Sequence, residues 1–106
     1  MPLPTTSAMI EELQKILKPR TYRGNIDSLE KAEKYVRKII AKLKCRGLTI
    51  KELDHEFAFN HKKYWIEGLY TKKYKIHELG TLTVTIEWGV HSLSAEVQVD
   101  FELTRD

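Results

Sequence analysis

From residue 63 onward the chain alternates. Leu82, Val84, Ile86 and Trp88, then Ala95, Val97, Val99, Phe101 and Leu103, place apolar side chains on every second position. Tyr64-Ile66 and Tyr74-Ile76 do the same in shorter runs. Successive side chains of a strand point to opposite faces, so a period of two commits this half to a sheet with one apolar and one polar face. Gly80 and the stretch from Gly89 to Ser94 supply turns between the runs. The last two runs read as a hairpin.

The first half has another period. Leu29, Ala32, Val36, Ile39, Ile40 and Leu43 recur at helical spacing. Asp27 with Glu30 three residues on has the form of a capping box, and Gly47 suits the position after the last turn. The spacing predicts a helix from Asp27 to Arg46. Met9, Ile10, Leu13, Ile16 and Leu17 predict a shorter one, capped by Ser7, running to Lys18 and stopped by Pro19. Thr21-Tyr-Arg-Gly-Asn-Ile26 reads as a loop. Residues 50–59 fit both periods. Thr49-Ile-Lys-Glu52 repeats the capping box, Leu48 and Leu53 suit a hydrophobic staple, and Ile50, Leu53 and Phe57 share a helical face; yet Leu53, His55, Phe57 and Phe59 also alternate. The expectation is a short helix passing into extended chain near Phe57. The chain is then one α+β domain over residues 1–106. Two or three N-terminal helices, within about 7–58, pack on a three- or four-stranded antiparallel β-meander within about 63–104.

With 106 residues, 42% apolar and 31% charged, the chain is ordinary for a soluble globular domain and long enough to bury a core without staples. No apolar run approaches the roughly 18 residues of a membrane span. Met-Pro-Leu-Pro-Thr-Thr-Ser has neither the basic leader nor the apolar core of a signal peptide. Cys45 is alone, which excludes an internal disulfide and a Cys-based zinc site. These features predict a cytoplasmic protein with no membrane partner. Asp54-His55-Glu56, His61, His77-Glu78 and His91 contain metal-ligand types without metal-ligand spacing, and the five glycines are isolated rather than gathered in a phosphate cradle. No metal, cofactor or catalytic nucleophile is expected.

Charge is unevenly distributed. Residues 15–46 carry eleven Lys/Arg against Asp27, Glu30 and Glu33, leaving +8, whereas residues 80–106 carry Arg105 against five carboxylates, leaving −4. Lys31, Lys34, Arg37, Lys38, Lys42 and Lys44 fall on the polar side of the long helix. Glu30–Lys34 and Glu33–Arg37 have the i,i+4 spacing of an ordinary solvated face. Two basic-aromatic clusters follow, His61-Lys-Lys-Tyr-Trp65 and Thr71-Lys-Lys-Tyr-Lys-Ile-His77, ten residues apart. Cations beside flat rings suit single-stranded nucleic acid, because phosphates take the charge and bases stack. The leading expectation is therefore a non-enzymatic protein that binds RNA or single-stranded DNA. Lys34, Lys38 and Lys42 would anchor it, and Lys62, Lys63, Trp65, Lys72, Lys73, Tyr74 and Lys75 would form the stacking segment. The competing reading of that segment is a strand whose Tyr64, Ile66, Tyr74 and Ile76 face the core while the lysines solvate the outside.

Three further readings carry less weight. A helix-turn-helix would place Ile50 to Phe59 in the major groove, but Glu52, Asp54 and Glu56 there oppose the duplex. Tyr74-Lys-Ile-His77 followed by Leu82 to Trp88 and a final strand resembles the RelE type of toxin ribonuclease over about thirty residues. That resemblance implies an RNA-cleaving surface with His77, Lys75 or Arg105 in positioning roles, against an acidic last strand. The alternative class is a protein-interaction or homo-oligomeric adaptor domain, with Ser94 to Thr104 as an edge strand pairing with itself or a protein partner.

Overall fold

A computed structural model describes residues 6–25, 27–61, 65–91 and 94–105. The chain runs α1 (Thr6–Ile16), β1 (Arg20–Gly24), α2 (Ser28–Cys45), β2 (Ile50–His61), β3 (Trp65–Ile76), β4 (Gly80–His91) and β5 (Ser94–Arg105). It is an α+β fold. The five strands form one antiparallel sheet in the order β1-β5-β4-β3-β2.

Alternation decides the register of the last three strands. Leu82, Val84 and Ile86 of β4 stand opposite Leu103, Phe101 and Val99 of β5, and Tyr74 and Ile76 of β3 stand opposite Leu82 and Gly80. These residues line the face covered by the helices. Leu82, Val97, Val99 and Ile76 are fully buried there with Leu13 of α1 and Leu43 of α2. The other face carries Thr81, Thr83 and Thr85 of β4 with Glu96, Gln98, Asp100 and Glu102 of β5. α2 buries Ala32, Val36, Ile39, Ile40 and Leu43, the stripe its spacing implies. It packs on β5 and β1, with β4 beyond.

Helix ends differ from the capping expectations. Asp27 has helical dihedrals and makes no side-chain cap bond; its carboxylate reaches Lys31 at 3.8 Å instead. The C-terminal end follows expectation: Gly47 has a φ of 88° and its N–H donates to the Lys44 carbonyl. α1 begins at Thr6 and ends at Ile16, and the expected capping side chain of Ser7 lies outside those described.

Two segments correct the sequence reading. Arg20–Gly24 is not a loop but a short edge strand, paired with Val99 to Ala95 of β5. Residues 50–61 are not a helix but a twelve-residue edge strand, which also removes the second helix of a helix-turn-helix. A β-bulge explains the mixed pattern: Glu52 pairs with Tyr74 but His55 with Lys72, so β2 carries one extra residue between them. Ile50 and Glu52 face the helix side before the bulge, and His55, Phe57 and Phe59 face it afterwards. The C-terminal strand is likewise not a full edge. β5 lies between β4 and β1, and β1 covers it from Ala95 to Val99.

The helix layer leaves part of the apolar face bare. α2 packs on β5, β1 and β4, on the side of the sheet away from the β2 edge. Phe57 and Phe59 lie on that edge, facing the helix side next to Trp88 of β4, which packs against the core. Phe57 stacks on Trp88 at 6.3 Å and on Phe59 at 6.4 Å, and each phenylalanine is 59% exposed.

Candidate nucleic-acid interface

The basic face of α2 meets β1 in a shallow hollow of about 250 Å³, lined by Arg20, Tyr22, Lys31, Lys34, Tyr35 and Lys38. Its construction is local on one side and long-range on the other. Lys31, Lys34, Tyr35 and Lys38 recur at three- and four-residue steps and so share one helical face. Arg20 and Tyr22 arrive because β1 pairs antiparallel with β5, setting both on the helix side opposite Val99 and Val97.

The two rings fix the guanidinium. Arg20 Cζ lies 5.2 Å from the Tyr22 ring centroid and 5.3 Å from that of Tyr35, within the range of a cation–π contact on each. The rings themselves meet edge to face at 6.5 Å, Tyr35 also meets Phe101 at 6.1 Å, and the Tyr35 hydroxyl donates to the Lys18 carbonyl at 2.7 Å. The aromatic pair is thus tied to both β5 and the end of α1, and it holds Arg20 at the surface. Among the described residues, Lys31 and Lys34 make long, exposed ion pairs, at 3.8 Å to Asp27 and 3.8 Å to Glu30. Pairs of this kind contribute roughly 0–1 kcal/mol and exchange readily for another anion. Lys42 lies one turn beyond Lys38 on the same side of α2.

The second expected cluster does not join this face. Lys62 and Lys63, with Tyr64, lie outside the described residues. Trp65, Lys73 and Lys75 stand on the face turned away from the helices, as the registers with His91, Thr83 and Thr81 require. Tyr74 is 7% exposed and belongs to the core, so its ring offers no stacking surface; burial also pushes its phenol above the usual range. Lys72 faces the helix side. Its ammonium lies 2.6 Å from Glu52 and 5.5 Å from the Tyr74 ring centroid. The hydrogen bond from Lys72 holds the Glu52 carboxyl below its usual range, and the same bond holds the Lys72 ammonium above its own. The strand period that made the segment look basic and aromatic also divides it between two faces.

A larger hollow of about 670 Å³ lies on the turned-away face, where Trp65 and Leu69 meet Glu67, Glu87, Glu96 and Arg23. Three carboxylates surround one guanidinium, and Arg23 is itself 3.5 Å from Glu96. That lining repels phosphate. His77, Lys75 and Arg105 gather near the β3–β4 turn, but none lines either hollow, and the exposed His77 imidazole lies 3.7 Å from Glu78. Among the described residues no group of three His, Cys, Asp or Glu is placed to hold a metal, and no helix is long and apolar enough to cross a membrane.

No family model, curated protein or solved structure matches this chain. Sequence reasoning found Lys34, Lys38 and Lys42 but missed Arg20, Tyr22 and Tyr35. The available signal was the alternation Arg20-Thr-Tyr-Arg between Pro19 and Gly24, four residues that read as a strand only once their partner is known.

Proposed function

We propose that the protein is a non-enzymatic nucleic-acid-binding protein of the cytoplasm that seats the phosphates of RNA or single-stranded DNA on the α2–β1 face. The supporting observation is Arg20, held between Tyr22 and Tyr35 beside Lys31, Lys34 and Lys38. A guanidinium already oriented by its rings loses little freedom when it takes a phosphate in a forked contact. Because both rings are engaged by Arg20 and partly buried, this face recognises backbone charge more than base identity. α2 presents a convex ridge of lysines. A flexible strand can follow it, whereas a duplex with a persistence length of about 50 nm touches it over few phosphates.

Fluorescence anisotropy with labelled single-stranded RNA, single-stranded DNA and duplex tests this reading. Binding should be tighter to the single strands and fall steeply with salt, with a slope near −0.7 per phosphate engaged. Lys34→Glu/Lys38→Glu should weaken it strongly. Absence of binding at low salt, or full retention in the double variant, would sink the proposal.

A further inference from the structure

The regular part of the β2 edge reads almost the same in both directions. Beyond the bulge it runs His55-Glu-Phe-Ala-Phe-Asn-His61, seven residues centred on Ala58. All seven are exposed, and Phe57 and Phe59 are each 59% exposed. In an antiparallel pair related by a two-fold axis, residue i faces the residue equally far beyond the axis. A strand of this kind therefore pairs like with like.

We propose that β2 pairs antiparallel with β2 of a second copy of this chain about a two-fold axis at Ala58, closing two five-stranded sheets into one of ten. This inference is independent of the nucleic-acid reading. On the helix side Phe57 faces Phe59 of the other copy, and Phe59 faces Phe57. Four phenylalanines form a ladder flanked by the two Trp88 indoles, and His55 faces His61 at either end. On the opposite side Glu56 faces Asn60, whose amide donates to a carboxylate, and Ala58 faces Ala58. Such cross-strand pairs stabilise a sheet, while like charges directly opposite destabilise it.

Charge selects this register. An axis at Glu56 sets Glu56 against Glu56, and one at His55 sets Asp54 against Glu56. An axis at Phe57 puts His55 against Phe59 and carries the pairing into the bulge. Only the axis at Ala58 uses the whole regular stretch with no carboxylate opposite a carboxylate. The arrangement also removes an exposed apolar edge that would otherwise template open-ended association. A two-fold contact uses the same patch twice and so closes.

The test combines mass and cross-linking. Size-exclusion chromatography with light scattering should give a dimer at micromolar concentration, and Phe57→Lys/Phe59→Lys, folded by circular dichroism, should be monomeric. In a Cys45→Ser background, Ala58→Cys should form an intermolecular disulfide on oxidation. Directly opposed Cα atoms lie about 4.5–5.5 Å apart, within disulfide reach. Asn60→Cys should not, because the two copies of position 60 would be offset by four residues, roughly 13 Å along the strand. A wild-type monomer, open-ended oligomers, a dimer unaffected by the lysines, or cross-linking at 60 and not at 58 would each overturn the proposal.

Discussion

The Trp88 indole occupies the space that a side chain at position 68 would fill: a Cβ built on Gly68 would clash with the indole Cε2 and Cζ2. Gly68 and Trp88 are directly opposite in the β3–β4 register, and Phe57 stacks on the same indole from β2. A glycine in mid-strand normally weakens it, but here it lets one aromatic lie flat across its neighbour. Gly68→Ala should displace Trp88 and destabilise the fold by about 1–3 kcal/mol, the usual range for overpacking. Chemical denaturation followed by Trp fluorescence reads both the stability and the changed indole environment. An unchanged midpoint and spectrum would show that the indole has room to move aside.

The Glu52–Lys72 pair gives a pH signature with a defined sign. Glu52 titrates below its usual range when folded, held down first by the hydrogen bond from Lys72. Its contribution is complete above the unfolded carboxyl value and is lost as pH falls through the lowered folded value. Lys72 titrates above its usual range, so its contribution is complete below the unfolded amine value and lost as pH rises through the folded one. Lys72→Met keeps the stem beside Tyr74 and removes the charge. An NMR titration of the Glu52 carboxyl should then move up toward the ordinary value, and identical titration in both proteins would refute the pairing. It follows that Lys72→Glu is a poor probe of ligand binding, since it sets a carboxylate against Glu52.

Glu78 is the only described non-glycine residue with positive φ, at 68°. It lies in the turn from β3 to β4, where Leu79 N–H donates to the Ile76 carbonyl. A left-handed conformation costs an L-residue roughly 1–2 kcal/mol, and glycine avoids that cost while losing more chain entropy on folding. Glu78→Gly should therefore raise stability by about 0.5–1 kcal/mol. Thermal unfolding checks the sign. A lower melting temperature would mean that the Glu78 side chain, 3.7 Å from His77, contributes more than its backbone costs.

What was legible in the sequence follows from how locally each element is determined. α2 and the paired strands β4 and β5 carry their burial in their own spacing, so periodicity alone places them. β2 was misread because its bulge shifts the face between Glu52 and His55, and because an edge strand outside the helix layer is under little pressure to alternate. β1 was invisible because its five residues, preceded by Pro19 and ending at Gly24, become a strand only through pairing with β5. The same reason hid half of the candidate site. The lysines of α2 are readable at helical spacing, but Arg20 and Tyr22 reach them through contacts distant in sequence. The described Lys72-Lys73-Tyr74 run is the converse case, since strand alternation sends its adjacent residues to opposite faces.

Arg20 separates orientation from charge within the proposed interface. Arg20→Gln removes the cation and its two ring contacts, so single-strand affinity should fall and the salt slope should drop by about 0.7. Arg20→Lys retains the charge, but an ammonium presents one compact point where the guanidinium presents a planar fork stacked on Tyr22 and Tyr35. Affinity should therefore fall in Arg20→Lys while the salt slope stays near wild type. Lys73→Glu, on the face turned away from α2, should change neither quantity much beyond a general electrostatic offset. Anisotropy titrations of the three variants across a salt series distinguish the cases. If Arg20→Lys bound as well as wild type, Arg20 would be one charge among several on α2, and the tyrosine pair would have no part in recognition.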